Sequence, residues 1–388
     1  MNNFPTGQRV GTAHKQWASR PSDEKFADVF SLVSMLQNRK DNSRQAIKPY
    51  SVLKAVAVEG DVRVQTDKGW ANLTHHSFNQ LSAAAGLPAS GLRKSFEQFN
   101  CSNDAAKWVA DGINLGLEGR GPTESKNANL LLGRNADNTL TIRSFTTEEY
   151  ARVWDVEVVQ KLLLPLTEHG FTNPPAFDGP GGLYAGDRDM FALLCPKNVR
   201  RLMMPQLQCD VCREPFEVNG QVFSPFIMVQ NSEVGASSFV FTSGLVQAVC
   251  ANLNLWGVQG LSEVRVIHKG NPWKKINQEF RGFMNKWVNR TTIEEEAQIR
   301  TAMKTSLGSD VKSATELVLR KTELAKKVVV EAIGTVEKGD LSTGIVSQDP
   351  TNLWNMLAAL TANARSIQNQ DLQIDQVREA GKLMTLVG

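Results

Sequence analysis

Met228–Trp256, MVQNSEVGASSFVFTSGLVQAVCANLNLW, is the stretch on which the reading of this chain turns. It holds a polar group, Asn231-Ser232-Glu233, closed by Gly235. The apolar run Phe239-Val240-Phe241 follows, and then Leu245, Val246, Val249 and Cys250 at helical spacing. Glu233 is out of place among such neighbours. A carboxylate flanked by apolar segments is expected to be partly buried, and burying an unpaired charge is expensive. Glu233 is therefore expected to meet a cation or a metal, or to accept backbone N–H groups.

Working outward, Phe216–Val222 and Phe226–Val229 read as strands leading into this stretch, and Val264–His268 as a strand leaving it. Before them, GLYAGDRDMFALLCP reads as a strand emerging from a glycine-rich turn. Nearer the start, Val52, Ala55, Val56 and Val58, then Val62, Val64 and Thr66, form a small antiparallel meander. Asn129–Arg134 and Thr139–Phe145 flank Asn135-Ala136-Asp137-Asn138, a hairpin signal.

Helices are predicted between these strands. One starts at Ser22, with Asp23 and Glu24 in its first turn and Phe26, Val29, Phe30, Val33 and Leu36 inward. Thr74 caps a second, which ends at Gly86, and Leu92 and Phe96 mark a third. A fourth spans Asp104–Leu117 with Trp108, Val109 and Ile113 inward. Thr146-Thr147-Glu148-Glu149 opens another that carries Val156, Val159, Leu162 and Leu163.

From Trp273 the chain turns helical. Thr292 and Glu295 have capping-box spacing. Further helices are expected from about Asp310 to Gly334, from Asp349-Pro350 onward, and around Leu372, Val377 and Leu383. The fold class is α+β: a mainly antiparallel sheet body with packed helices and a helical C-terminal region. The divisions are a flexible basic arm at 1–21, the α+β body at 22–290 and the helical region at 291–388.

At 388 residues, with 41% hydrophobic and 21% charged residues, the chain has room for a large core. Five cysteines without framework spacing suit a reducing cytoplasm better than a secreted disulfide scaffold. No apolar run reaches the length of a membrane span, and the first residues lack a signal-peptide core. The expected setting is cytoplasmic, with no membrane partner.

Several chemistries lack their motifs. No glycine-rich loop runs into Lys-Ser/Thr, so a P-loop is not expected, and GPGGLYAG precedes a strand instead of opening a helix. No nucleophile-elbow pattern occurs. Cys209-Asp210-Val211-Cys212 is a single C-x-x-C without the second pair a zinc ribbon needs, and structural thiols are the simpler reading. LSAAAGLPASGLRKSF has the shape of a helix-turn-helix, and Arg93 and Lys94 are its candidate DNA contacts, although paired helices on tight turns are usually packing units. His75 and His76, as neighbours, point to different helix faces and do not suggest a metal site.

Two constellations remain. Asp187 and Asp189, two residues apart, share a face if extended. With Glu233 they would make an oxygen-ligand site for Mg²⁺ or Mn²⁺ of the kind that assists phosphodiester chemistry. The plainer alternative places Asp187 in the turn, Asp189 in solvent, and Glu233 against Arg188 or Arg143. The second constellation is the strongest charge signal. Arg265, Lys269, Lys274, Lys275, Arg281, Lys286 and Arg290 face Glu279 alone, although the whole chain carries only +3. His268 lies in the same run, and Trp273, Phe280, Phe283 and Trp287 are interleaved. Cations neutralise phosphates and aromatic faces stack on unpaired bases; the alternative is an amphipathic helix with its aromatics in the core.

Six motifs occur in order: LTHHSFNQLSAAAGLPASGLRKS, TIRSFTTEEYARVWDVEVVQKLLLPL, AGDRDMFALL, NSEVGASSFVFTSGLVQAVCANLNLWG, RVIHKG and DPTNLWNMLAALT. Together they resemble the phage/plasmid-like protein family, domain of unknown function 932, over roughly residues 50–385. The resemblance implies a mobile-element setting and no particular activity. The segment SFTTEEYARVWD is longer than the family's Ser-Asp-x-Tyr-type sequence, so no role passes to Glu149. The expectation is a DNA-associated accessory protein that binds single-stranded nucleic acid without catalysis. Its rivals are the metal-dependent phosphodiester enzyme and a protein–protein interaction module, including homo-oligomer formation through the C-terminal helices.

Overall fold

Valines recur at every second position in Ala55–Val58 and again in Asp61–Thr66, and that period builds two strands of the first of two sheets. In the computed structural model this sheet contains β1 (Ser43–Pro49), β2 (Ala55–Val58), β3 (Asp61–Thr66), β4 (Gly69–Leu73), β5 (Asn127–Arg134) and β6 (Leu140–Thr146) in the order β1-β5-β6-β4-β3-β2. All neighbours are antiparallel except β4 and β6. The structure describes residues 24–67, 69–100, 102–119, 126–172, 182–196, 216–219, 221–249, 252–256, 264–289, 292–340, 343–364, 366–367, 376–377 and 379–387. The arm at 1–21, with Ser22 and Asp23, lies outside them, as do Cys101, Cys209, Cys212 and Cys250.

Helices α2 (His75–Ala84), α3 (Ala89–Gln98) and α4 (Asn103–Glu118) cover one face of this sheet over Val62, Val64, Ala71 and Ile142. Thr74 caps α2 by accepting from Ser77 N, and Gly86 ends it at φ +72°. Asn114 reaches from α4 to both backbone groups of Ala55, at 2.7 and 2.9 Å. The helical pair at α2–α3 thus packs on the sheet. Trp108 is not inward as expected but 59% exposed. The buried stripe of α4 consists of the small or branched Ala106, Val109, Ala110 and Ile113, and Trp108 falls a hundred degrees of helix rotation to one side.

The second sheet is β13-β12-β11-β9-β7, with β10, β14 and β8 paired at its sides, and every pairing is antiparallel. Its strands are β7 (Phe171–Thr172), β8 (Leu183–Ala185), β9 (Met190–Pro196), β10 (Phe216–Val218), β11 (Gln221–Asn231), β12 (Phe239–Val249), β13 (Asn252–Trp256) and β14 (Val264–Val266). The helical spacing at Leu245–Val249 misleads: that segment extends β12 against β11, where cross-strand pairing to Val222–Pro225 decides the conformation. One face of this sheet packs on α1 (Val29–Asp41), α5 (155–168) and α6 (Pro272–Asn289) through Leu36, Val159, Leu194, Phe239, Phe241 and Phe283.

Helix α1 starts later than expected. Asp28, not Ser22, caps it by accepting from Ser31 N at 2.8 Å; Leu32 faces inward and Phe30 is 69% exposed. Thr146, expected to open a helix, instead ends β6, and α5 begins at Asp155. Within α5 a π-turn, Val159–Leu163, lies just before Pro165. A proline there has no N–H to give and its ring crowds the preceding turn, which the wider turn relieves.

The C-terminal helices α7 (Thr292–Ala302), α8 (Val311–Lys321), α9 (Lys326–Lys338) and α10 (Leu353–Ala364) share a core that takes in Val218 and Phe223 of the second sheet. The single helix expected over 310–334 is two, because Thr322 turns to extended backbone. Asp349 shapes a turn by accepting from Thr351 N, and Asn352 caps α10, accepting from Asn355 N. The side chains of Thr292 and Glu295, and Leu372, lie outside the described residues. The α+β class with mainly antiparallel strands stands.

Gly116 shows how tightly α4 meets α2. A Cβ on it would lie 2.1 Å from the Ala85 carbonyl oxygen, a contact with backbone that cannot yield. Helix propensity alone would make Gly116→Ala stabilising by about 1 kcal/mol. The expected outcome is the opposite sign, a loss of about 1–3 kcal/mol from overpacking, measured by urea unfolding.

Candidate functional site: a buried charged knot and an exposed basic helix

Arg143 occupies an irregular place in β6. Leu131 pairs with Ser144 and Leu132 with Ile142, so Arg143 is the extra residue of a β-bulge. A bulge re-aims a side chain and shifts the pleat by one residue, which is why Ile142 and Phe145 both reach the same core. Arg143 is thereby turned to Glu233, in the connection between β11 and β12, and its Nη1 donates to Oε2 at 2.8 Å. Each side chain is only 1% exposed.

The other Glu233 oxygen accepts from the Asp155 backbone N–H at 3.0 Å. Arg152 donates to the Glu233 carbonyl and, through Nε, to Gln45 at 3.2 Å. Asn231 donates to Asp155 Oδ1 at 2.7 Å and to the Val153 carbonyl at 2.9 Å. Arg39 of α1 donates to the carbonyls of Gly186 and Ala185 in the β8–β9 hairpin. Ser232 Oγ donates to the Arg188 carbonyl at 2.7 Å, tying the same hairpin to the knot.

Burial by itself would raise the Glu233 carboxyl, but Arg143 and Arg39 hold it below its ordinary range. Asp155 goes the other way: burial and then the charge of Glu233 push it well above the usual value. Asp187 is raised to about 6 by burial, against the pull of Arg143 and Arg39. Burial and Arg152 lower His268 to about 4, and burial, with a further contribution from Arg188, lowers His76 to about 4.

Tyr150 donates its single hydroxyl proton to the Ser232 carbonyl at 2.7 Å, so its oxygen must accept from His268 Nδ1–H. With its pKa lowered to about 4 by burial, His268 in this arrangement carries its lone pair on the buried Nε2. Ala151 N also donates to the His268 carbonyl, at 3.0 Å. Beside this contact Lys269 forms an exposed ion pair with Glu149 at 2.6 Å.

The three carboxylates considered as metal ligands come from two connections, Asp187 and Asp189 from that between β8 and β9 and Glu233 from that between β11 and β12. Asp187 and Asp189 do not share a strand face; they sit in the tight turn between β8 and β9, closed by Gly186 N to Asp189 O at 2.9 Å. Both Glu233 oxygens already accept hydrogen bonds, one of them from Arg143. Among the described residues no group of three His, Cys, Asp or Glu side chains is arranged to hold a metal ion. Cys195 is buried, and burial pushes its thiol up.

The basic run divides. Lys274, Lys275 and Arg281 are exposed on α6 and Arg265 on β14, whereas His268 lies below the surface. Phe280 and Phe283 pack on Phe241 with ring centroids 4.9 and 4.4 Å apart, and Lys161 lies over Trp273 at 4.1 Å. The side chains of Lys286 and Trp287, and Arg290, lie outside the described residues. Sequence reasoning named Glu233 and Arg143 but not Tyr150, Arg152, Asp155 or Arg39, which no spacing distinguishes from surface residues.

The family model described as domain of unknown function (DUF932) matches residues 147–329. The match takes in Tyr150, Arg152, Asp155, Glu233, His268 and all of α6, while Arg143 lies just before it. No curated protein and no solved structure matches the chain. No helix among the described residues is long and apolar enough to cross a membrane.

Glu233→Gln should cost about 3–5 kcal/mol in urea unfolding because it removes the carboxylate charge that the buried Arg143 faces, and Arg143→Met/Glu233→Met should recover much of that loss. The Asp187 carboxyl makes a separate pH signature. Its unfolded pKa is near 3.9 and its folded value about 6, so between these the folded chain holds the extra proton. Its contribution to stability therefore falls as pH rises through that window, on the order of 2–3 kcal/mol, and is flat above it. His76 and His268, lowered on folding, act with the opposite sign. The difference between wild type and Asp187→Asn isolates the carboxyl, and a difference that does not change between pH 4 and pH 7 would refute its assignment.

Proposed function

We propose that the protein binds nucleic acid, single-stranded DNA in particular, through the outer face of α6, as a non-catalytic accessory factor of a phage or plasmid. One observation carries this reading. Lys274, Lys275 and Arg281 stand exposed with no carboxylate paired to them among the described residues, on a helix whose Trp273, Phe280 and Phe283 pack into the core. Lys274, Gln278, Arg281 and Asn285 recur at steps of four, three and four, one stripe along the helix. Arg265 adds charge from the adjoining β14.

Helix α6 therefore offers phosphate contacts, with base stacking excluded for Phe280 and Phe283. Binding of this kind depends steeply on salt and tolerates sequence changes. The Lys269–Glu149 pair is exposed on both sides, and an exposed pair contributes little in water, so Lys269 can turn from Glu149 to a phosphate at small cost. The mobile-element setting rests on the motif resemblance, and the preference for single strands on the sequence alone, where aromatics interleave with the cations.

The test is binding of a labelled single-stranded oligonucleotide, and of its duplex, at two salt concentrations. Wild type is compared with Lys274→Ala/Lys275→Ala/Arg281→Ala. Removing three phosphate contacts should reduce the slope of log K against log salt by about 2 for the single strand. No binding at low salt, or an unchanged slope in the variant, would refute the proposal. Equal binding of the duplex would refute the single-strand preference alone.

A further inference from the structure

β1 is an edge strand, and its pairing shows which way its backbone faces. Arg134 N donates to Asn42 O and Tyr50 N to Lys126 O, each at 2.9 Å, at the two ends of an unbroken antiparallel register with β5. Hydrogen-bonded pairs alternate along such a ladder. Arg44, Ala46 and Lys48 therefore spend their amide groups on β5. Ser43, Gln45 and Ile47 direct theirs away from the sheet, and Pro49 ends the row. No other strand pairs with β1 among the described residues.

The charged side chains of β1 and β5 share one sign. Arg44 and Lys48 are exposed on one face, and Arg134 at the end of β5 has the same parity. None has an acidic partner among the described residues, and neither strand contains an acidic residue. On the other face Gln45 is held by Arg152 and Ile47 is 57% exposed. An added strand would meet cations at alternate positions on one side and an apolar side chain on the other. A second copy of β1 would bring Arg44 and Lys48 against the same two cations.

We propose that the β1 edge is a strand-addition site for an acidic extended peptide segment, one with carboxylates alternating with apolar residues. Backbone bonding to Ser43, Gln45 and Ile47 supplies affinity, and Arg44 and Lys48 supply selection. This surface is separate from the α6 face, so the two proposals stand or fall independently.

The probe is a blocked, fluorescent Glu-Val-Glu-Val-Glu-Val peptide, with Lys-Val-Lys-Val-Lys-Val as the reversed-charge control, titrated against the full chain. Wild type should bind the acidic peptide and not the basic one. Ile47→Pro removes an outward N–H without touching the β5 ladder, and should weaken binding about tenfold while leaving the melting temperature close to wild type. Arg44→Glu/Lys48→Glu changes only exposed side chains and should exchange the preference to the basic peptide. This second variant decides the matter should Ile47→Pro disturb folding. Failure of wild type to bind the acidic peptide, or binding indifferent to charge reversal, overturns the proposal. So does self-association of wild type through this edge that Ile47→Pro abolishes, since it would show that the edge belongs to a second copy.

Discussion

The ion pair between Arg143 and Glu233 joins the two sheets with both charges withdrawn from water. Taking each ion out of solvent costs several kcal/mol, and attraction between the pair recovers this only where the remaining polar atoms are also satisfied. Here the Asp155 N–H takes the second carboxylate oxygen and Arg152 takes the Glu233 carbonyl. Arg39 adds positive potential from α1. With three guanidinium groups in one region, Glu233 stays ionised and a second and third carboxyl, Asp155 and Asp187, sit close by with raised pKa values. Apolar faces would tolerate many placements of one sheet on another; these directional hydrogen bonds favour one.

Much of the first sheet was legible because its cues are local. Alternating valines and the 135–138 connection fix strand pairs within twenty residues of each other, and the Thr74 side chain and Gly86 bound α2 by local chemistry alone. Local cues failed where the same residue types serve a distant contact. Thr146-Thr147-Glu148-Glu149 has the composition of a helix start, yet Thr146 is needed in β6, where its hydroxyl bonds the Asn129 carbonyl at 3.1 Å. Trp108 is expected inward with Val109 and Ile113, yet a helix that packs closely enough to exclude a Cβ at Gly116 prefers alanines on its buried face.

The candidate site was half legible for a related reason. An ionised residue inside an apolar stretch signals itself, so Glu233 was conspicuous and Arg143 was among its expected partners. Asp187 and Asp189 share a face only if their segment is extended; the hairpin closed by Gly186 N to Asp189 O puts both in a tight turn instead. Tyr150, Arg152 and Asp155 sit in a polar connection where such residues are ordinary, and only the tertiary approach of β11 and β12 makes them part of the knot.

The knot also bears on the surface proposed to meet nucleic acid, through a short chain of contacts. Ser232, next to Glu233, offers its carbonyl to Tyr150, whose oxygen accepts from His268. The backbone carbonyl of His268 in turn accepts from Ala151 N, and Lys269 reaches Glu149. These bonds hold residues 268–269 immediately before α6, while Phe241 anchors the helix further along through Phe280 and Phe283. The helix is thus fixed at its approach by the polar knot and along its length by the core. The cations on its outer face are held on a rigid element, so phosphate contacts made there need order only the lysine and arginine side chains and not the backbone that carries them.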